Sequence, residues 1–422
     1  MGTPRGPEGG AEANEHLAEL GRLTDTAGGV VVGEVVQRIR SPGPRYYVGK
    51  GKAAELAELV RAQKAELVIF DDELTPAQGK NLEDLCGVRV MDRAELILDI
   101  FATRARTYEA RMQVELAQLQ YLLPRLRRMW VHLSRIRGGI GFRGPGETQL
   151  ETDRRLIGVR IAELRRKLKS VARAQATQRK GRRSYFRVAL VGYTNAGKSS
   201  LLQALSGSEQ FVEDRLFATL DASTRLVPLG DGYETLLTDT VGFIRKLPHH
   251  LIASFRSTLE EAREADVLLH VVDASHPDRE SHRRVVHGVL DELGMSRRPR
   301  MLVYNKTDLL APDDLLTLKK LGNPGTRGRS TLYLSALVPA TLRPLRRELR
   351  ARIRAGLREV RVRLPATEGR TLATLYEEGE VLSRSQDGCT VSVVAKASPA
   401  LIGRLSGIAG VQVTDINQGS PK

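Results

Sequence analysis

Short apolar runs alternate with longer amphipathic ones along most of the chain, and their periods predict an α/β protein built in sections. The first two dozen residues are rich in Gly, Pro and Glu and read as a flexible tail (1–26). Val30–Val36, Glu66–Phe70 and Val88–Met91 then have the length and branching of strands. Between them, Lys52–Gln63, a stretch opened by Thr75-Pro76 and another after Asp92 carry helical spacing, predicting a small α/β domain over 27–103. From Arg104 the period becomes helical throughout. Leu116, Leu119, Leu123, Leu126 and Leu133 share one side, with a kink expected at Pro124, and Leu156, Ile161, Leu164, Leu168 and Val171 mark a second helix. The glycine-rich stretch Gly138–Glu147 can continue neither helix, so a hairpin with this stretch at its tip is expected over 104–183. Strands and helices alternate again from Phe186 to about Gly356, the pattern of a mostly parallel sheet flanked by helices (184–357), and 358–422 reads as a small α+β domain.

Charge sharpens this division. The formal net charge is +16, and residues 104–187 hold 22 basic against six acidic residues, so the helical section carries the whole excess. Such a surface favours a polyanionic partner, nucleic acid or anionic lipid. No run of eighteen apolar residues and no apolar leader is present, which predicts a cytoplasmic, monomeric protein that associates at most in part with a membrane surface. Cys86 and Cys389 have no His or Cys at metal-ligand spacing and are expected to be small buried residues, forming neither a disulfide nor a zinc site.

Candidate chemistry is concentrated between Gly192 and Leu337. Gly192-Tyr193-Thr194-Asn195-Ala196-Gly197-Lys198-Ser199, followed by Ser200, fits G-x-x-x-x-G-K-S directly after an apolar strand and before a helical run. Glycines let amides turn inward around phosphates, Lys198 adds a point charge, and Ser199 offers a ligand for Mg2+. Asn305-Lys306-Thr307-Asp308 follows the strand Met301–Tyr304, where a carboxylate at Asp308 can accept from guanine N1–H and the exocyclic amine. Adenine lacks that pair of donors, a mismatch of the kind worth about 10⁴ to 10⁵ in discrimination, so GTP and GDP are the expected ligands. Ser335-Ala336-Leu337 could aim amides at guanine O6. Asp239-Thr240-Val241-Gly242 places a carboxylate near Mg2+ and a glycine amide at the γ-phosphate, and Phe217-Ala218-Thr219-Leu220-Asp221 offers Thr219 as a second Mg2+ ligand. Asn195, Lys198, Thr219 and Gly242 are therefore the expected catalytic set. Phe243 stands where Ras-type GTPases carry the glutamine that orients water, which predicts slow turnover without help. Asn195 either ligates a potassium ion that replaces an arginine finger or only braces the loop.

These segments, with Gly138-Gly139-Ile140-Gly141, Arg143–Glu151, Phe255–Glu261 and Tyr46–Lys52, resemble the HflX family of ribosome-associated GTPases, and the resemblance runs from Val30 onward. It implies binding to the large ribosomal subunit, splitting of stalled or idle ribosomes, stimulation of hydrolysis by that subunit, and a second site for ATP at Gly49-Lys50-Gly51-Lys52. Arg135, Arg137 and Arg143 are the expected rRNA contacts. Phe142 stands where a small hydroxyl residue is expected; it either stacks on a base or packs at the hairpin tip.

Overall fold

The computed structural model describes residues 1–2, 9–129, 145–180, 185–207, 216–217, 220, 222–247, 261–321 and 331–416. The expected tail is the first correction. Gly9–Thr26 forms helix α1, because Leu17, Leu20 and Leu23 fall on one side of it and are buried against the rest of the chain. The second correction concerns Val30–Val36, which is extended but pairs only through an isolated bridge between Val36 and Gly2.

Helix α2 (Lys50–Gln63), strand β1 (Leu67–Phe70), α3 (Pro76–Cys86), β2 (Arg89–Asp92) and α4 (Arg93–Arg104) follow in the order their periods predict. Strands β1 and β2 pair in parallel, Leu67 opposite Arg89. Thr75 and Gln78 cap α3 reciprocally, which explains why the helix starts where it does. The long helices α5 (Tyr108–Met129, containing Pro124) and α6 (Pro145–Lys180) pack through Met112, Leu116, Ile161 and Leu164. Arg160 grips Glu115 through two parallel bonds of 2.6 and 3.0 Å. The hairpin is rooted on the N-terminal section by apolar packing of Ala110, Val114 and Ala117 and by polar contacts centred on Asp92, which accepts from the Tyr121 hydroxyl at 3.0 Å and from Arg125 at 3.1 Å while also capping α4.

The third section is a six-stranded sheet in the order β4-β5-β3-β6-β7-β8, parallel except for β4. Its strands are β3 (Phe186–Gly192), β4 (Ser223–Gly230), β5 (Tyr233–Asp239), β6 (Val267–Asp273), β7 (Arg300–Asn305) and β8 (Thr331–Tyr333). The flanking helices are α7 (Lys198–Ser206), α8 (Arg279–Glu292), α9 (Pro312–Leu321) and α10 (Arg343–Gly356). Because β3 and β6 are covered on both faces, they are mostly apolar, Val188–Val191 in β3 and Val267–Val272 in β6 broken only by His270. The last section runs β9 (Arg358–Pro365), α11 (Gly369–Glu378), β10 (Glu380–Asp387), β11 (Thr390–Ala397), α12 (Pro399–Ser406) and β12 (Gln412–Asp415). It forms a four-stranded antiparallel sheet ordered β10-β11-β9-β12, a complete α+β unit where two or three strands were expected. Cys86 is buried as expected, whereas Cys389 lies exposed in the turn between β10 and β11. Among the described residues no helix is long and apolar enough to cross a membrane.

Candidate functional site

Four loops at one end of the parallel sheet bring motif residues together, and backbone geometry shows why several positions need their residue type. The loop between β3 and α7 turns through Asn195 at φ 60° and Gly197 at φ 86°. A Cβ on Gly192 would meet the Val271 carbonyl at 2.3 Å, and one on Gly197 the Asn305 side-chain nitrogen at 2.2 Å. Asn305 bridges two loops: its amide donates to the Ala196 carbonyl and its carbonyl accepts from Ala336 N–H, both at 3.0 Å. Leu337 N–H donates to the Ser335 hydroxyl (3.1 Å), and the Leu337 side chain stands exposed. Lys306, itself at φ 62°, pairs with Asp273 at 2.8 Å, which holds its stem beside the loop. Lys306 keeps the Asp273 carboxyl below the usual carboxylate range against the burial that raises it.

Lys198 is buried and donates to the Gly192 and Tyr193 carbonyls. Burial lowers its ammonium to about 8, against the opposing pull of Asp239. Ser199 donates to the Asp239 carboxylate at 2.6 Å, so two hard oxygen donors already face each other. That donor pair fits Mg2+. Among the described residues no cluster of three His, Cys, Asp or Glu could hold a metal, so such an ion would depend on Ser199, Asp239, water and phosphate oxygens. Thr240 anchors the start of the following loop by donating to the Leu190 carbonyl at 2.6 Å, and Val241 is buried beside it. Gly242 lies so close to the phosphate loop that a Cβ would come within 2.7 Å of Thr194 Cα and 3.0 Å of Lys198 Nζ. Phe243 then pairs with the loop, donating to the Gly192 carbonyl (3.1 Å) and accepting from Thr194 N–H (2.7 Å).

Several expected nucleotide contacts sit elsewhere. The side chains of Phe217 and Leu220 are buried in the apolar cluster with Phe101, whose ring meets Phe217 edge-on at 4.7 Å; only the Phe217 amide reaches the loop, through Thr194 Oγ1. Phe243 is buried in the same cluster, so the place of the water-orienting glutamine holds a core side chain. Asp308 is exposed in the short turn Thr307–Leu309. Ser200 lies in the first turn of α7. Ala218, Thr219, Asp221, Arg135, Arg137, Phe142 and Arg143 lie outside the described residues. At the start of α2, Gly49 N–H is spent on Gln37 and Lys52 on Glu55, so the expectation of ATP gains no support from this turn.

One assembly had no sequence signal. The Tyr193 hydroxyl donates to Glu19 of α1 (2.5 Å) and accepts from Arg245 N–H (2.9 Å), and its ring stacks on His282 at 3.7 Å. Arg245 pairs with Glu15, and Lys246 with Asp71 and Asp72. Buried Arg93 joins Glu19 to Asp71. The loop after Gly242 is thus held by the N-terminal section on one side and by the phosphate loop on the other. Asp273 was also missed, although its place at the end of a buried strand could have suggested it.

A mostly parallel α/β domain with a phosphate loop, an Asp at the end of the adjoining strand and an Asn-Lys-Thr-Asp loop braced against that phosphate loop is a P-loop GTPase. Sequence families described as "GTP-binding GTPase N-terminal", "GTP-binding GTPase Middle Region" and "50S ribosome-binding GTPase" match residues 14–102, 104–182 and 187–306. The chain is 45% identical to the GTPase HflX of Escherichia coli strain K12 over 365 residues, 86% of this chain and 85% of that protein. It is 46% identical to the GTPase HflX of Caldanaerobacter subterraneus over 396 residues, 93% and 90% of the two chains. A crystal structure of a GTP-binding protein from Sulfolobus solfataricus with GDP is 24% identical, with a TM-score of 0.42 over 83% of this chain and all of that one. The chain belongs to the HflX family of GTPases, and it hydrolyses GTP.

Proposed function

We propose that this GTPase docks on the large ribosomal subunit through its basic hairpin and couples GTP binding and hydrolysis to separation of the subunits. One observation carries the reading: the hairpin and the Gly242 loop are fastened to the same N-terminal section. Tyr121 and Arg125 of α5 hold Asp92, while Asp71, Asp72 and Glu15 hold Lys246 and Arg245. A displacement of the hairpin by rRNA therefore has a path of ion pairs to the loop that meets the γ-phosphate. The relatives' HflX name and the ribosome-binding description of the matched family support the choice of partner.

At the nucleotide, Lys198 and the amides of Asn195 and Gly197–Ser199 hold the β- and γ-phosphates, and Asp308 with Ala336 reads guanine. Ser199 and Thr219, with Asp239 behind them, would hold a Mg2+ ion, which would supply charge neutralisation at the phosphates. Asn195 either ligates a potassium ion beside the phosphates or braces the loop; replacing potassium by sodium tests this. With Phe243 buried, positioning of the attacking water falls to groups that the ribosome orders, so turnover is slow alone. Changing Arg135, Arg137 and Arg143 together to Glu should weaken large-subunit binding and flatten its salt dependence at unchanged GTP affinity. Unchanged subunit affinity would favour a switch acting on a protein effector, the second reading.

A further inference from the structure

The last section has one covered face and one bare one. Its elements run βαββαβ and its strands lie in the order β12-β9-β11-β10, the ferredoxin-like arrangement, with β9 and β11 at the centre. Val360, Val362 and Leu364 of β9 are buried with Val391, Val393 and Ala395 of β11, under Leu375 of α11 and Leu401 and Leu405 of α12. By the alternation of a strand, Arg361 and Arg363 of β9 point the other way, and both are exposed. Arg361 lies opposite Val394 and Thr414, and Arg363 opposite Ser392 and Gln412, while Ser383 and Ser385 of β10 continue the same face. Carboxylates keep to its margins, Glu359 and Glu380 flanking Lys396 at one end and Asp387 in the far corner. Residues 343–363 hold nine arginines against two glutamates, a concentration concealed by the neutral sum outside the hairpin. Most of these are spent inside the protein: Arg346 donates to the Leu205 carbonyl, Arg350 pairs with Asp231, Arg352 with Glu348 and Arg358 with Asp415, and Arg354 lies over the Tyr233 ring. Arg361 and Arg363 have no such partner among the described residues.

We propose that this bare sheet face binds single-stranded RNA through its sugar-phosphate backbone, whatever the base sequence. Charge selects the occupant: two unpaired guanidinium groups stand at the centre of the face and every carboxylate stands at its edge. Two residues apart along one strand, Arg361 and Arg363 are about 7 Å from each other, close to the step between successive phosphates of an extended chain. Their planar forks suit phosphate oxygens. Ser392, Gln412 and Thr414 beside them offer hydrogen bonds to ribose hydroxyls. No residue of β9, β10, β11 or β12 is aromatic, so bases are not stacked there and the contact is to the backbone. The inference does not rest on the hairpin's contact with the large subunit and stands or falls separately from it.

The test titrates a labelled uridine RNA of about twelve nucleotides with the intact protein carrying Arg361→Ser and Arg363→Ser. A control carrying Arg370→Ser and Arg384→Ser loses the same charge from the helix-covered side. The first variant should bind about tenfold more weakly, with a salt slope lower by about 1.4, the share of two phosphates on a single strand. The control should match the unaltered protein, and both should keep its thermal midpoint and GTP turnover. Cross-links from a 4-thiouridine version of the RNA should fall on β9 and β11. Equal affinity of the two variants, or cross-links confined to the hairpin, would overturn the proposal. Equally tight binding of the matching DNA would overturn the choice of RNA, and displacement of the RNA from this face by polyglutamate at lower concentration would assign the face to an acidic protein instead.

Discussion

Gly197 carries two constraints at once: a positive φ that L side chains rarely adopt, and a 2.2 Å approach of its missing Cβ to the Asn305 amide. Gly197→Ala should displace Asn305 from Ala196 and Ala336 and weaken GTP binding by at least about tenfold, roughly 1.4 kcal/mol, in a fluorescent-nucleotide titration. Undiminished affinity would show that Asn305 does not brace the pocket. Lys198 gives a pH signature. Its ammonium is lowered to about 8 in the buried loop, and a triphosphate favours the charged form. GTP affinity should therefore fall as pH rises through 8, with proton uptake on binding below the ordinary lysine range; calorimetry in two buffers measures that uptake. His270 in β6 is buried with neither ring nitrogen hydrogen-bonded among the described residues, and burial lowers it to about 3. Its proton is taken up only on unfolding between pH 6.5 and 3, so stability is lost as pH falls through that window. His270→Leu should raise the thermal midpoint by the equivalent of about 1–3 kcal/mol and flatten its decline below pH 6.5. A less stable variant would mean that the imidazole is partnered.

At the scale of elements, periodicity revealed most of the architecture because the strands of the parallel sheet are buried on both faces and the hairpin helices on one. It could not show that α1 is ordered, since Leu17, Leu20 and Leu23 become a stripe only when a surface is there to receive them. Nor could it show that Val30–Val36 is extended yet bridged only at Val36, to Gly2, among the described residues. The nucleotide loops were legible because phosphate and guanine impose fixed residue types at fixed offsets. The grip on the Gly242 loop was not, because Glu15, Glu19, Asp71 and Tyr193 are far apart in sequence and individually ordinary. Tyr193→Phe tests that grip: it removes an acceptor from Arg245 N–H and a donor to Glu19. The cost should be about 1–3 kcal/mol in thermal unfolding, with faster amide exchange at Arg245. Unchanged exchange would show that the loop is held without the Tyr193 hydroxyl, by the Phe243 pairing and the ion pairs of Arg245 and Lys246.

Across the whole molecule, charge and linkage are divided between sections. The hairpin carries the positive excess, the parallel sheet carries the nucleotide, and the N-terminal section fastens both through Asp92 on one side and Asp71, Glu15 and Glu19 on the other. In this arrangement Gly242 and Phe243 lie against the phosphate loop, so a bound γ-phosphate has to be accommodated by the element that the N-terminal section grips. GTP affinity and hairpin occupancy should therefore be coupled, and reciprocally so. The most direct measurement is GTP turnover by the intact protein in potassium buffer, with and without large ribosomal subunits. The expected result is slow turnover alone and strong stimulation by the subunits, lost when Arg135, Arg137 and Arg143 are changed to Glu. Turnover unmoved by ribosomal subunits would contradict the account.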